Sequence, residues 1–104
     1  MASLRVTYAA IAILTTAAAA PVSAADAERG EDLAWQHRCM TCHGETGMSS
    51  DERYPHLAGQ DESYLGTRLR YFRDEVEPFN HMNGQARPLS DEDIADLAAY
   101  FSAQ

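Results

Sequence analysis

The sequence contains no lysine, so all eight of its positively charged side chains are arginines. Sixteen aspartates and glutamates outnumber them and give the chain a net charge of -8. Nucleic-acid binding needs a basic surface, and this composition argues against that class of function. The acidic balance favours a protein that meets basic partners through salt-sensitive attraction, or one whose charge simply keeps it in solution.

Long hydrophobic runs are absent apart from one near the start, VTYAAIAILTTAAAA at positions 6–20. A run of about 15 residues is too short to cross a bilayer, which takes ~20. One arginine precedes the run, and Val22-Ser23-Ala24 follows it with the small residues that a signal peptidase reads. This order predicts a secretory signal peptide over residues 1–25, cleaved after Ala24 or Ala25. A retained membrane anchor is the alternative.

Cysteine is also scarce, and Cys39 and Cys42 permit at most one disulfide bond. Removal of the signal peptide leaves residues 26–104 and makes the net charge one unit more negative. A domain of this size rarely coheres through an unaided hydrophobic core and usually depends on disulfides, a metal or another cofactor. The size and the cysteine content together therefore favour a buried cofactor.

Three segments have the periodicity of helices and none has the alternation of a strand, so the predicted fold class is all-α. The first segment runs over about 27–38, with Asp26 as its N-terminal cap. The second runs over about 61–76 and ends before Pro78.

The third helix has the clearest signals. Ser90 is its N-cap, and Asp93, three residues later, is the acid of a capping box. Apolar residues then recur at helical spacing at Ile94, Leu97, Ala98 and Phe101. Two loops, at 44–60 and 78–89, separate the helices and are long enough to wrap around a bound group.

Residues 39–43 read Cys-Met-Thr-Cys-His, which is C-x-x-C-H, the attachment motif of c-type haem. On a helical turn, residues three and four apart share one face. Cys39 and Cys42 can therefore each add to one vinyl group of a porphyrin, and His43 would then lie under the iron as the proximal ligand. The competing interpretations are a thioredoxin-like redox pair, a zinc site and a structural disulfide.

Four stretches give the chain a more specific likeness: CMTCHG at 39–44, YPHLAGQ at 54–60, ESYLGTRLRYFRD at 62–74 and HMNGQARPLSDEDIADLAAYFS at 81–102. Through them the chain resembles the bacterial class I c-type cytochromes, the short soluble monohaem kind. It is also similar to one half of their dihaem relatives. The resemblance implies a cytochrome c-like fold of three to four helices wrapped around one covalent haem c and its iron.

The same resemblance implies specific roles around the haem. Met82 would be the second axial iron ligand, in a loop just before the last helix, with His81 as its local rival. The backbone carbonyl of Pro55 would accept the Nδ1-H of His43 and fix the ring's tautomer. An ordinary loop proline is the alternative for Pro55.

Structural roles follow from the resemblance as well. Gly30 and Phe101 would mark the crossing of the first and last helices. Trp35 and Tyr100 are interpreted as core residues rather than as electron relays. A haem propionate would pair with Arg68 or Arg73 unless both are ordinary surface arginines. Five side chains are expected to line the haem: Leu57, Tyr64, Leu65, Leu69 and Phe72.

The expected function is that of a periplasmic one-electron carrier rather than an enzyme. Its partners would be redox proteins with a basic docking face, and it would be a monomer or a subunit of a redox complex, without stable membrane insertion. Two alternatives stay open. One is a haem c subunit of a dehydrogenase, and the other is a peroxidase or gas-binding protein with a labile sixth ligand.

Overall fold

The computed structural model describes residues 1–17 and 24–104. Residues 1–17 are exposed and have no regular secondary structure. The end of the predicted apolar run and most of the predicted signal-peptidase recognition sequence fall at 18–23, outside the described residues. Within the part of the chain that is described, no helix has the length and apolar character needed to cross a membrane.

The described residues form five helices and contain no strand, which confirms the all-α prediction. Their bounds are α1 Ala27–Gln36, α2 Cys39–His43, α3 Glu62–Arg73, α4 His81–Ala86 and α5 Asp91–Ser102. The three long helices correspond to the three predicted ones; α1 and α3 are shorter than their sequence patterns indicated, and α5 contains its whole predicted pattern. The short helices α2 and α4 flank the place where the cofactor was expected.

Helix α1 ends two residues earlier than its pattern indicated, because Arg38 adopts a left-handed backbone conformation with φ of 58°. This conformation breaks the helical ladder and lets α2 start in a new direction at Cys39. The turn thus separates the attachment motif from α1.

Side-chain caps set the starts of α1 and α5, as predicted. The Asp26 side chain accepts the backbone N–H of Arg29 at the start of α1. At α5 the full capping box forms, because Ser90 accepts from Asp93 N–H while the Asp93 carboxylate accepts from Ser90 N–H. Each such cap contributes ~1 kcal/mol to stability.

Helices α1 and α5 cross in very close contact at Gly30. A Cβ atom at this position would lie 2.0 Å from the Asp96 carbonyl oxygen and 2.9 Å from the Tyr100 Cβ atom. The predicted pairing of Gly30 with Phe101 was therefore wrong, and Tyr100 is the aromatic residue at the crossing. Successive residues of a helix point about 100° apart, so Phe101 faces elsewhere and packs beside Gly47.

The core lies where α5 meets α1 and α3. Ile94 and Leu97 are the largest completely buried side chains, and Tyr100 is buried as expected. Trp35 contradicts its interpretation as a core residue, because 55% of its surface is exposed. It follows the buried pair Leu33 and Ala34 on α1, and so points away from the face that contacts α5.

Candidate cofactor site

A cavity of about 500 Å³ opens between α2, the loop that follows it, α3, α4 and α5. This volume falls within the ~300–1,000 Å³ of typical ligand and cofactor sites. The side chains predicted to hold a cofactor, Cys39, Cys42, His43 and Met82, all line it. The fold therefore brings together residues from two distant parts of the chain.

The two thiols occupy one turn of α2 and are both half-buried and free. Burial, with a smaller contribution from the nearby Cys42, raises the pKa of the Cys39 thiol above its ordinary value. A thiol-disulfide catalyst needs the opposite shift, since its thiolate is the nucleophile. The environment of Cys39 thus disfavours the thioredoxin-like interpretation.

A zinc site at the motif would require Cys39, Cys42 and His43 to converge with one another or with another ligating side chain. Across residues 1–17 and 24–104, His, Cys, Asp and Glu side chains form no group of three or more arranged to hold a metal ion. The two cysteines and the histidine instead line the cavity without forming such a group.

His43 is buried and oriented by the loop that follows α2. Its Nδ1 atom lies 2.9 Å from the carbonyl oxygen of Pro55. Because a carbonyl only accepts hydrogen bonds, Nδ1 carries the proton and Nε2 keeps its lone pair. That tautomer is the one in which an imidazole binds a metal through Nε2.

A glycine with positive φ ends α2 and returns the loop toward the histidine. Gly44 has φ of 85°, and a Cβ atom there would lie 2.0 Å from the carbonyl oxygen of Met48. Only glycine fits such a position without displacing the backbone. The loop can then pass back across the proximal side and present Pro55 to His43.

Met82 lies in the first turn of the short helix α4, not in a loop as predicted. The Asn80 side chain caps this helix by accepting the N–H of Met82 at 2.9 Å. The Asn83 side chain donates to the Glu77 carbonyl at 2.7 Å and ties α4 to the preceding loop. Six residues with an internal glycine have too little helical periodicity to be recognised from sequence.

The surroundings of Met82 distinguish it from the other potential ligands. Met40 and Met48 are not part of the cavity lining. His81 does line the cavity, but it is exposed whereas Met82 is half-buried. Met82 thus combines a place on the lining with shelter from solvent.

All five apolar side chains expected around the cofactor do line the cavity: Leu57, Tyr64, Leu65, Leu69 and Phe72. The sequence reasoning missed the contribution of α5, whose Leu97, Ala98 and Phe101 also reach it. Their helical spacing identified them as buried but not which neighbour they bury against. Phe79, a fully exposed loop residue with φ of 63°, lies at the edge and had no sequence signal.

The cavity lining has no aspartate or glutamate, although the chain is acidic overall. Three arginines belong to it: Arg38, Arg53 and Arg68. Arg53 pairs with the Asp51 carboxylate at 2.6 Å. The Arg68 guanidinium stacks on the rings of Tyr71 and Phe72, 4.5 and 4.7 Å from their centroids.

Of the two arginines considered as propionate partners, only Arg68 reaches the cavity. Arg73 is absent from the lining and pairs with Asp91 at 2.6 Å and with Asp74 at 3.1 Å. Arg68 has no carboxylate partner among the described residues. Its guanidinium is therefore available for an anionic group in the cavity.

Comparison with known proteins agrees with this arrangement. Residues 27–103 match the family model of cytochrome c. The chain is also 42% identical over 84 residues to cytochrome c-554(548) of Halomonas halodenitrificans, an alignment that covers 78% of this chain and 99% of that protein. The chain belongs to the cytochrome c family. Members of this family carry a covalently bound haem c with iron and transfer electrons, and this cytochrome does the same.

Two further relatives are longer than this cytochrome. The reduced recombinant cytochrome c4 from Pseudomonas stutzeri superimposes with a TM-score of 0.70 at 39% identity, covering 78% of this chain and 46% of that one. A thiosulfate dehydrogenase electron acceptor from Thiomonas intermedia is 45% identical over 62% of this chain and 30% of its own length. The chain thus spans half or less of each of these two proteins.

The cavity of this cytochrome fits a haem c in its donor set and in its walls. Two free thiols, an imidazole in the ligating tautomer and a thioether surround a space with mainly apolar lining. Haem iron binds imidazole and thioether ligands. Covalent attachment of the porphyrin requires cysteine thiols, which form the thioether bonds. Arg68, which has no carboxylate partner among the described residues, adds positive charge to this lining.

Proposed function

We propose that this cytochrome is an exported, periplasmic one-electron carrier whose single haem c is attached at Cys39 and Cys42 and ligated by His43 and Met82. The convergence of these four side chains on one cavity of about 500 Å³ carries the proposal. The haem supplies the ferrous–ferric couple. The chain's own residues attach the haem, provide the two ligands of its iron and exclude water.

His43 and Pro55 form the oriented half of the ligand set. The hydrogen bond to the Pro55 carbonyl holds the imidazole in one tautomer before anything binds Nε2. Such a bond also makes the ring a better electron donor to its metal. Leu57, in the same loop, lines the cavity close to this bond and adds to its apolar wall.

Met82 forms the second half of the ligand set. A thioether ligand raises the reduction potential relative to a bis-histidine haem, because it favours the ferrous state. The exposed His81 would produce the lower potential if it replaced Met82. The half-buried position of Met82 in a capped helix supports the higher-potential arrangement.

Export supports the same function, because c-type haem is attached outside the cytoplasm. We propose that residues 1–25 are a cleaved signal peptide and that residues 26–104 are the cytochrome c domain. The family match begins at Ala27, directly after the proposed boundary. The exposed state of residues 1–17 agrees with a segment that is not part of the domain.

The decisive experiment is the intact mass of the protein purified from periplasm. We expect the mass of residues 26–104 plus one haem, and a pigment that acidified acetone does not extract. A variant with Met48 replaced by alanine is a matched control, because that methionine is exposed and does not line the cavity. A colourless polypeptide, or a pigment that acetone extracts, would refute the proposal.

A dehydrogenase subunit is the second candidate function. It is favoured by the similarity to a relative named as the electron acceptor of thiosulfate dehydrogenase. Gel filtration of the native extract distinguishes the two possibilities. Co-elution with a dehydrogenase at high salt indicates a subunit, whereas elution at the mass of a free cytochrome indicates a soluble carrier.

A haem with a labile sixth ligand is the remaining possibility from the sequence. Carbon monoxide tests it, because the gas binds ferrous iron only where a coordination site opens. We expect slow and incomplete binding in the unmodified protein and fast, complete binding in Met82→Ala. Fast binding in the unmodified protein would indicate a peroxidase or gas-binding function.

A further inference from the structure

A buried carboxylate that is not part of the cavity lining joins the start of α1 to α5. The Asp96 side chain is 4% exposed, and its Oδ2 atom lies 2.7 Å from Nη1 of Arg29. Its other oxygen, Oδ1, accepts the backbone N–H of Asp26 at 2.8 Å. Each oxygen of this buried group therefore has one donor, and both donors come from the first residues of the domain.

The same arginine is shared with a second carboxylate. Nη2 of Arg29 lies 2.6 Å from Oδ1 of Asp93, one turn earlier on α5. The two carboxylates raise the pKa of the Arg29 guanidinium above its ordinary value, with the hydrogen bond to Asp96 as the largest cause. Two negative charges thus share one positive charge.

Asp93 and Asp96 differ in what else, besides Arg29, stabilises their negative charges. Asp93 belongs to the capping box and lies in the first turn of α5, where the helix dipole favours an anion. Asp96 lies a turn further in and is more deeply buried. A buried carboxylate is stable only when its charge is compensated, so Asp96 is the group that lacks a full counter-charge.

We propose that signal-peptide cleavage occurs between Ala25 and Asp26 and that the new terminal ammonium of Asp26 becomes the second cation of Asp96. This inference rests on the proposed export. A peptidase adds one water across the peptide bond, and the products are a carboxylate on Ala25 and an ammonium on Asp26. The nitrogen that bears the new charge is the one that already lies 2.8 Å from Oδ1 of Asp96.

The structure favours cleavage of the Ala25–Asp26 peptide bond over cleavage of the neighbouring Ala24–Ala25 bond. Cleavage after Ala24 leaves Asp26 as a neutral amide and puts the ammonium one residue away from the hydrogen bond. A cation at the start of a helix is opposed by the helix dipole, so its position beside a buried carboxylate decides whether it is favourable. Maturation at Asp26 therefore converts a neutral contact between α1 and α5 into an ion pair.

The absence of lysine makes the proposal directly testable. In residues 26–104 the α-amino group is the only primary amine, so an amine-selective acylating reagent modifies that group alone. An ammonium held by a carboxylate reacts slowly, because only its deprotonated form is a nucleophile. The reaction is followed by intact mass on the haem-loaded protein near neutral pH.

We expect the exported protein to begin at Asp26 and its acylation to be about tenfold slower than in Asp96→Asn. Tenfold corresponds to about 1.4 kcal/mol. Asp91→Asn is the matched control, since Asp91 lies on the same helix but pairs with Arg73. Its acylation rate should equal that of the unmodified protein.

A second comparison keeps the test valid if Asp96→Asn does not fold. The unmodified haem-loaded protein is acylated in buffer and in concentrated urea, and we expect the folded state to react about tenfold more slowly. A first residue other than Asp26, or equal rates in both comparisons, would overturn the inference. Haem absorbance of the same sample reports the proposed function separately, because a coloured protein that begins elsewhere contradicts only this inference.

Discussion

At the scale of single residues, the two sides of the proposed haem site differ in how firmly their neighbours fix them. His43 is held by the Pro55 carbonyl, a contact between residues twelve apart in the sequence. The Met82 side chain makes no polar contact with the residues that the structure describes, and its position depends on the Asn80 cap of α4. Substitutions of Met82 are therefore more informative about the ligand set than substitutions of His43.

Met82→Ala should abolish the weak red absorption band of methionine-ligated ferric haem and lower the reduction potential, because the thioether that favours ferrous iron is lost. Visible spectroscopy and a redox titration measure both effects. Met48→Ala should change neither, since that side chain lies outside the cavity lining. Survival of the band in Met82→Ala would assign the second ligand to another residue.

Individual side chains also show where the sequence resemblance was reliable. The expected lining residues of α3 reached the cavity because their helical spacing puts them on one face of that helix, whereas Leu57 reaches it from the loop before α3. Trp35 did not become a core residue, although its size and hydrophobicity favoured burial. Its orientation follows from its neighbours on α1, since the helix can bury only the face that meets α5.

At the scale of elements, the close approach of α1 to α5 at Gly30 requires a glycine. Gly30→Ala should destabilise the protein by ~1–3 kcal/mol, because the added methyl group would overlap the Asp96 backbone. For a domain of this size each kcal/mol lowers the melting temperature by ~4–8 °C. Thermal denaturation of the haem-loaded protein measures the change.

Gly84 provides the matched control for that substitution. It lies in helix α4, and a Cβ atom there would have no neighbour within 4 Å. Gly84→Ala should leave the melting temperature unchanged or raise it slightly, since alanine is the better helix former. Equal destabilisation by both substitutions would show that close packing at Gly30 is not the cause.

The start of α5 should make stability depend on pH in the acidic range. The backbone N–H of Ser90, with help from Arg29, holds the pKa of the Asp93 carboxyl below its ordinary value of 3.8. A depressed pKa stabilises the fold above the unfolded-state value, and this contribution is lost as pH falls through the folded-state value. Denaturation midpoints should therefore drop below about pH 4.

Asp93→Asn should remove part of that acid dependence, while the midpoint at neutral pH should fall as the capping box weakens. Asp91→Asn is the control, because Asp91 occupies the same turn without belonging to the capping box. Urea denaturation at a series of pH values measures both variants. If the denaturation midpoint of Asp93→Asn fell at acidic pH as much as that of the unmodified protein, the pH dependence of stability would belong to other carboxylates.

At the scale of the whole molecule, the cavity implies that the cofactor is part of the core. The lining includes buried residues of α3 and α5, so an empty cavity would leave apolar surfaces of these helices unpacked. Cys39→Ser combined with Cys42→Ser should therefore produce an apoprotein with little ordered helix. Circular dichroism tests this, and a well-folded double variant would contradict it.

The distribution of charge over the molecule leads to a prediction about docking. The net charge of -8 favours a partner with a basic docking face, whereas the cavity lining has three arginines and no acid. With a basic partner, the electron-transfer rate should fall as salt rises. Arg68→Gln should then leave that rate unchanged or increase it, because it removes a repulsive charge.

Stopped-flow kinetics with partners of either charge measure this effect. Arg73→Gln is the control, since it removes the same charge from a residue outside the lining. An electron-transfer rate that is insensitive to salt would show that the net charge of the protein does not govern docking. A rate that falls in Arg68→Gln but not in the control would indicate an acidic docking face on the partner.

The sequence by itself determined the all-α class, the caps of α1 and α5 and the attachment motif, because these depend on residues within a few positions of one another. Tertiary structure alone decided that Tyr100 rather than Phe101 meets Gly30, that Met82 lies in a helix, and that the cavity lining is cationic in an acidic chain. Those features depend on how helices distant in sequence rotate and pack against each other. Local propensity carries no information about such rotations.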